Sequence, residues 1–124
     1  MNSSKQFVRI EANGPDREGL PTTVHDASDT PVQGAQHPHG YTAYLDPSGL
    51  FSAGVWACDA GTLQINDLLI DEGCYLIEGE VILTDQYGNS ERFVAGEAFV
   101  VFRGFVGTWH MPKPIRKYNA MFKR

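Results

Sequence analysis

A chain of 124 residues fits a single domain, and a domain of that size buries roughly two-thirds of the surface its unfolded form exposes, enough for a core without disulfide staples. The net charge of −5 is unevenly spread: no acid follows Glu97, whereas Arg103, Lys113, Arg116, Lys117, Lys123 and Arg124 do. Overall acidity repels phosphate, and no basic stripe is interleaved with stacking aromatics, so nucleic acid is excluded as a partner; the charge split predicts balance between the first and last strands of a closed fold.

In chain order, residues 5–10 read as one short strand. Residues 13–40 are rich in Gly, Pro, Asp, Thr and Ser with no period of 2 or 3.6, so residues 1–40 are expected to be an extended arm that wraps the body or crosses to a second subunit. From Tyr41 onward apolar clusters recur every eight to twelve residues or so between glycines and prolines, the rhythm of an all-β sandwich or barrel spanning 41–124. Asp46, Pro47, Ser48 and Gly49 form a turn, and Tyr87, Gly88 and Asn89 another. Strands are expected near residues 42–45, 50–57, 63–70, 73–85, 91–94, 98–102, 107–110 and 115–122, the fourth bent at Gly79. Cys58 and Cys74 lie on different strands without metal-type spacing, which predicts buried thiols in a reducing compartment and hence a cytoplasmic protein. The longest apolar run, residues 98–102, is too short to cross a bilayer, and no secretory leader is visible; no membrane partner is expected.

The stretch from Glu72 to Trp109 carries the most information. Glu72 is followed after six residues by Gly79, and a second block, GEAFVVFRGFVGTW, opens at Gly96. Together with GVWACDAG at 54–61, DEGCYLIEGEV at 71–81 and RKY at 116–118, these blocks resemble the cupin superfamily, and within it the branch holding ureidoglycine aminohydrolase and the ethanolamine-utilisation cupins. The resemblance covers roughly residues 50–122. It implies a single-domain jelly-roll β-barrel, a homodimer, and a small-molecule site in the barrel mouth.

Metal-binding cupins hold a divalent ion with two histidines, a glutamate and a third histidine. Here the resemblance leaves only Glu72: the two histidine positions fall on Ile65 and Asp67, or on Asn66 and Leu68, and the third falls on Gly107 or Thr108. The aminohydrolase set of a glutamate, two histidines and a glutamine is likewise missing. Imidazole is what suits a site to manganese, iron, nickel or zinc, so no metal cofactor is expected; weak binding of a hard divalent cation by Asp67 and Glu72 is all that stays open. His37 and His39, one residue apart, flank Pro38 in the arm, where two solvent-exposed loop histidines are the plain expectation; His25 and His110 are expected to bind nothing.

Alternation along the strand puts Glu72, Cys74 and Leu76 on one face, where apolar neighbours would raise a carboxyl pKa and suit Glu72 to general acid or base work; the competing expectation is a structural pair with a basic group of the final strand. Trp109 either lines the pocket or fills the core, the latter favoured. Lys117 and Tyr118 must face opposite ways, and the resemblance favours Tyr118 as the inward, ligand-binding residue; Trp56 is expected in the core or at a subunit interface. The candidate ligand-binding set is therefore Asp67, Cys74, Trp109, Tyr118 and Lys117 around Glu72. Three readings follow: a cupin that binds a small molecule without metal, a metal-independent lyase, isomerase or hydrolase using Glu72, and a manganese-dependent activity like that of ureidoglycine aminohydrolase.

Overall fold

The computed structural model describes residues 5–124. Ten strands run in chain order: β1 (Asp29–Gly34), β2 (His39–Leu45), β3 (Phe51–Cys58), β4 (Gly61–Ile65), β5 (Asp71–Glu78), β6 (Glu80–Asp85), β7 (Ser90–Val94), β8 (Ala98–Val101), β9 (Gly107–Met111) and β10 (Ile115–Phe122). They form two five-stranded antiparallel sheets, ordered β1-β4-β9-β6-β7 and β2-β3-β10-β5-β8, packed face to face as a jelly roll. Alternation sends Leu63, Ile65, Val81, Trp109 and Met111 inward from the first sheet and Cys58, Cys74, Leu76, Val101 and Ile115 inward from the second, making one apolar core.

Glycine decides how the chain changes sheets. Gly79, at φ 89°, turns β5 of one sheet into β6 of the other, and a Cβ there would lie 2.3 Å from the Pro114 carbonyl oxygen. What reads as one bent strand over 73–85 is thus two strands in different sheets. Two side-chain-capped turns hold one end of the barrel. Asp46 accepts from the Ser48 hydroxyl and the Phe51 amide, and Asp85 accepts from the Tyr87 and Asn89 amides and the Asn89 side chain.

Several expectations are corrected. The fold begins before residue 41: β1 lies within the expected arm and pairs with β4, because Pro31 and Gly34, which read as loop residues, sit on an edge strand where a missing donor is tolerated. Residues 5–10 form no strand. The strand expected over 63–70 stops at Ile65; Leu68 and Ile70 are buried from a loop, so their hydrophobicity reflects burial rather than strand geometry. The close ion pairs of the basic C-terminal residues are not made to the first strand, where only Asp29 feels Lys117 at longer range. Arg116, Lys117 and Arg124 of the last segment pair instead with Glu78, Glu72 and Asp71 of β5, which lies beside β10.

Candidate functional site

β10 sits at the centre of its sheet, and its inward row is Ile115, Lys117, Asn119 and Met121. Lys117 lies directly opposite Trp56 on β3 and Leu76 on β5. From there its long side chain runs along the barrel past Cys74, so that Nζ donates to Glu72 Oε2 at 2.5 Å and lies 3.6 Å from Cys74 Sγ. The same ammonium lies 4.4 Å from the centre of the Trp109 ring and 5.1 Å from that of Trp56, whose planes meet edge to face. A cation against two indoles gains about 1 kcal/mol or more where it is desolvated. The pair is dry: the Lys117 and Glu72 side chains are 6% and 12% exposed.

Burial disfavours the ammonium, but the charge of the Glu72 carboxylate, its hydrogen bond and the more distant Asp29 favour it, and the Lys117 pKa lies above its ordinary value. Burial pushes the Cys74 thiol up to about 12, so at neutral pH it carries no charge and the anion that holds Lys117 is Glu72. Asp29, at the start of β1, is the third charged member: burial first, then Asp26 and Glu72, push its carboxyl upward against the pull of Lys117 and His25. His25 arrives from the N-terminal segment, donates through Nε2 to the Ala35 carbonyl at 2.8 Å and packs its ring 6.1 Å from Trp56. Two polar atoms here are buried without a partner: His25 Nδ1, an acceptor when Nε2 donates, and the Trp109 Nε1–H donor.

Glu72, Cys74, Trp109 and Lys117 are therefore brought together, with Trp109 in core and site at once. Two members of the expected set are not. Tyr118 faces the outside of its sheet, stacked on Tyr75 at 6.2 Å, because its strand neighbour Lys117 takes the inward position. Asp67 lies exposed in the β4–β5 loop at φ 54°, away from Lys117. Trp56, Asp29 and His25 are members that sequence reasoning missed. Only Trp56 left a signal: it stands two residues from Gly54 and Cys58 on the inward row of β3, whereas Asp29 and His25 come from the segment read as an arm.

The residues at the barrel positions where a cupin metal would be held do not fit a transition metal. Ile65 and Leu68 are core residues, Asn66 and Asp67 are exposed, and a Cβ at Gly107 would lie 2.0 Å from the Thr84 carbonyl oxygen and 2.9 Å from the Phe105 ring. A third imidazole has no room there. Among the described residues no three His, Cys, Asp or Glu side chains converge on a common point. Beyond Phe105 the barrel opens into a cleft of about 510 Å³ between the β6–β7 turn and the β8–β9 loop, floored by Leu83, Phe93, Val101 and Phe105 and edged by Glu91 and Arg103. It shares no lining residue with the Lys117 cluster.

Two facing antiparallel sheets, an inward glutamate seven positions before a sheet-switching glycine and a polar centre between the sheets define a jelly-roll protein of the cupin class. The chain belongs to the family described as the EutQ-like cupin domain, whose sequence model matches residues 45–118. The EutQ protein of Clostridium difficile superposes with a TM-score of 0.61 at 18% identity, over 70% of this chain and 68% of that one. A putative ethanolamine utilization protein Q from Salmonella typhimurium gives 0.62 at 19%, over 73% and 74%. A protein of unknown function from Pseudomonas syringae pv. tomato gives 0.71 at 21%, over 90% of this chain but only 46% of its own length. At these identities the likeness establishes the fold. No curated protein matches the sequence, and among the described residues no helix is long and apolar enough to cross a membrane.

Proposed function

We propose that this cupin binds a small organic molecule in its barrel interior without the help of a transition metal. One observation carries the reading: a fixed ammonium–carboxylate pair, boxed by Trp56 and Trp109, accompanies two buried polar atoms that nothing among the described residues satisfies. Buried donors and acceptors in folded proteins are nearly always matched, so Trp109 Nε1 and His25 Nδ1 mark places for ligand atoms or the water that stands in for them. Lys117 supplies the fixed positive charge that a metal supplies in the metal-binding cupins, and Glu72 holds that charge in place.

Native mass spectrometry of the purified protein, with a thermal-shift screen of small polar metabolites, tests this. The expected result is an organic ligand whose stabilisation disappears in a folded Lys117→Met variant. A stoichiometric transition metal lost on Glu72→Gln would refute it.

The 2.5 Å contact between Lys117 and Glu72 favours a second reading, a metal-independent lyase, isomerase or hydrolase in which Glu72 moves a proton beside a fixed cation. Such transfer is worth about 10² to 10⁴ in rate. A Glu72→Gln variant that keeps binding and loses turnover would select it; one that keeps turnover would exclude it. Manganese-dependent chemistry like that of ureidoglycine aminohydrolase is the least supported reading, because beside Glu72 the corresponding ligand positions hold Asn66, Leu68 and Gly107 or Thr108.

The working state we infer is a homodimer. Tyr44, Phe51, Tyr75, Val100 and Phe122 leave the outer face of the β2-β3-β10-β5-β8 sheet apolar and exposed, and burying that face against a second copy would remove it from water. The two free, buried thiols suit a reducing cytoplasm.

A further inference from the structure

His37 and His39 stand outside the barrel interior, at the end where β3 turns into β4, and both line a cavity of about 180 Å³ with Asp59, Glu78, Arg116 and the buried Cys58. Their ring geometry is more ordered than two loop histidines require. His37 Nδ1 lies 2.8 Å from the Asp59 carboxylate and His39 Nδ1 lies 2.7 Å from the His37 carbonyl oxygen. Carboxylate and carbonyl oxygens accept, so each Nδ1 carries a proton, and the nitrogen left for a metal on either ring is Nε2. Tying Nδ1–H to a carboxylate or a backbone carbonyl is how proteins orient a metal-ligating imidazole. The backbone adds to this: His37 is held at φ 53°, a conformation few non-glycine residues adopt, with Ala35 at 55° just before it. Two carboxylates against one guanidinium leave the cavity with one net negative charge while the rings are neutral, which suits a cation rather than an anion.

We propose that His37 and His39 form a two-imidazole site for a borderline divalent ion of the nickel–copper–zinc group, with Asp59 as the positioning residue. Imidazole nitrogen selects such ions over magnesium or calcium. No third side-chain donor converges on the pair among the described residues, so water completes the coordination and the ion exchanges with solvent. The site is independent of the Lys117 centre and stands whether or not that centre binds an organic ligand.

Calorimetric titration of the tag-free full chain with zinc chloride, and separately with nickel chloride, should find one equivalent bound. His37→Ala and His39→Ala should each weaken binding by about tenfold or more. Asp59→Asn should weaken it by about 10- to 100-fold, the usual loss when an outer partner of a ligating histidine is removed. His110→Gln and Glu72→Gln should titrate as wild type. In the metal-free protein, long-range proton–nitrogen spectra should show both rings protonated at Nδ1. Unchanged binding in either alanine variant, loss of binding in Glu72→Gln, no binding of either ion below millimolar concentration, or an Nε2–H form of either ring would overturn the proposal.

Discussion

Removing one partner of the Lys117–Glu72 pair is the sharpest test of how the barrel interior is built. Lys117→Met keeps most of the length and the apolar stem of the side chain but removes the ammonium and leaves the Glu72 carboxylate desolvated. Breaking a buried pair in this way costs about 3 to 5 kcal/mol, because the surviving charge keeps its burial penalty and loses its compensation. For a domain whose whole stability is of order 5 to 15 kcal/mol, that is about a fifth of the total or more. At about 3 °C per kcal/mol for a chain of this length, the melting temperature should fall by about 10 to 15 °C. Glu72→Gln should cost less, since the amide oxygen still accepts from the ammonium and the two indoles still face it. The double variant Lys117→Met, Glu72→Gln should recover most of the single Lys117→Met loss, because the stranded Glu72 carboxylate is then gone. Urea unfolding of the four proteins closes the cycle. If Lys117→Met costs under about 1 kcal/mol, or the double variant is no better than the single, the carboxylate reaches water and the dry interior described above is wrong.

The remaining expectations concern charge and backbone. Asp29 has its carboxyl raised in the fold above its ordinary value of 3.8, so its ionisation opposes folding at neutral pH. Asp29→Asn should therefore raise the melting temperature at pH 7, an advantage that vanishes below about pH 3.8, where the carboxyl is protonated in both states; a loss at pH 7 would show that its attraction to Lys117 dominates. The opposite sign holds for Asp46, Asp71 and Asp85, depressed by the Ser48 hydroxyl, the Arg124 guanidinium and the Asn89 side chain respectively. Their contribution is present above 3.8 and fades as pH falls through their lower folded values, so asparagine at any of the three should flatten the acid limb of a stability profile. Gly79→Ala should cost at least about 1 to 2 kcal/mol from the left-handed backbone alone, and more from the meeting with the Pro114 carbonyl; a neutral result in chemical denaturation would mean that the β5–β6 connection is not fixed. Light scattering should report a dimer, and Phe122→Asp or Val100→Asp should return it to monomer; a wild-type monomer would refute the subunit face assigned here.

Glu72 and the glycine after it, the turns at Asp46 and Asp85, and most strands from Tyr41 onward were legible because each is a local signal: alternation, a residue that permits positive φ, or a side chain that caps its own turn. Those signals also located Cys74, Trp109 and Lys117 on strands. They could not say that 73–85 feeds two sheets, because a glycine bend looks the same whichever sheet the chain enters next. Nor could they find β1: Pro31 and Gly34 argue against a strand until β4 is seen to offer them an edge.

The sequence by itself determined the class of fold, the absence of imidazole at the expected metal positions and the candidacy of one glutamate. Only the tertiary structure decided what surrounds that glutamate. Strand alternation says that Lys117 and Tyr118 point opposite ways but not which of them points in, and that choice is set by the register of β10 between β3 and β5, which places Lys117 against Trp56 and Leu76. His25 and Asp29 lie more than forty residues from Glu72 along the chain and meet its centre only because β1 joins the opposite sheet. Proximity of that kind is a property of the assembled sheets, and no local pattern of residues encodes it.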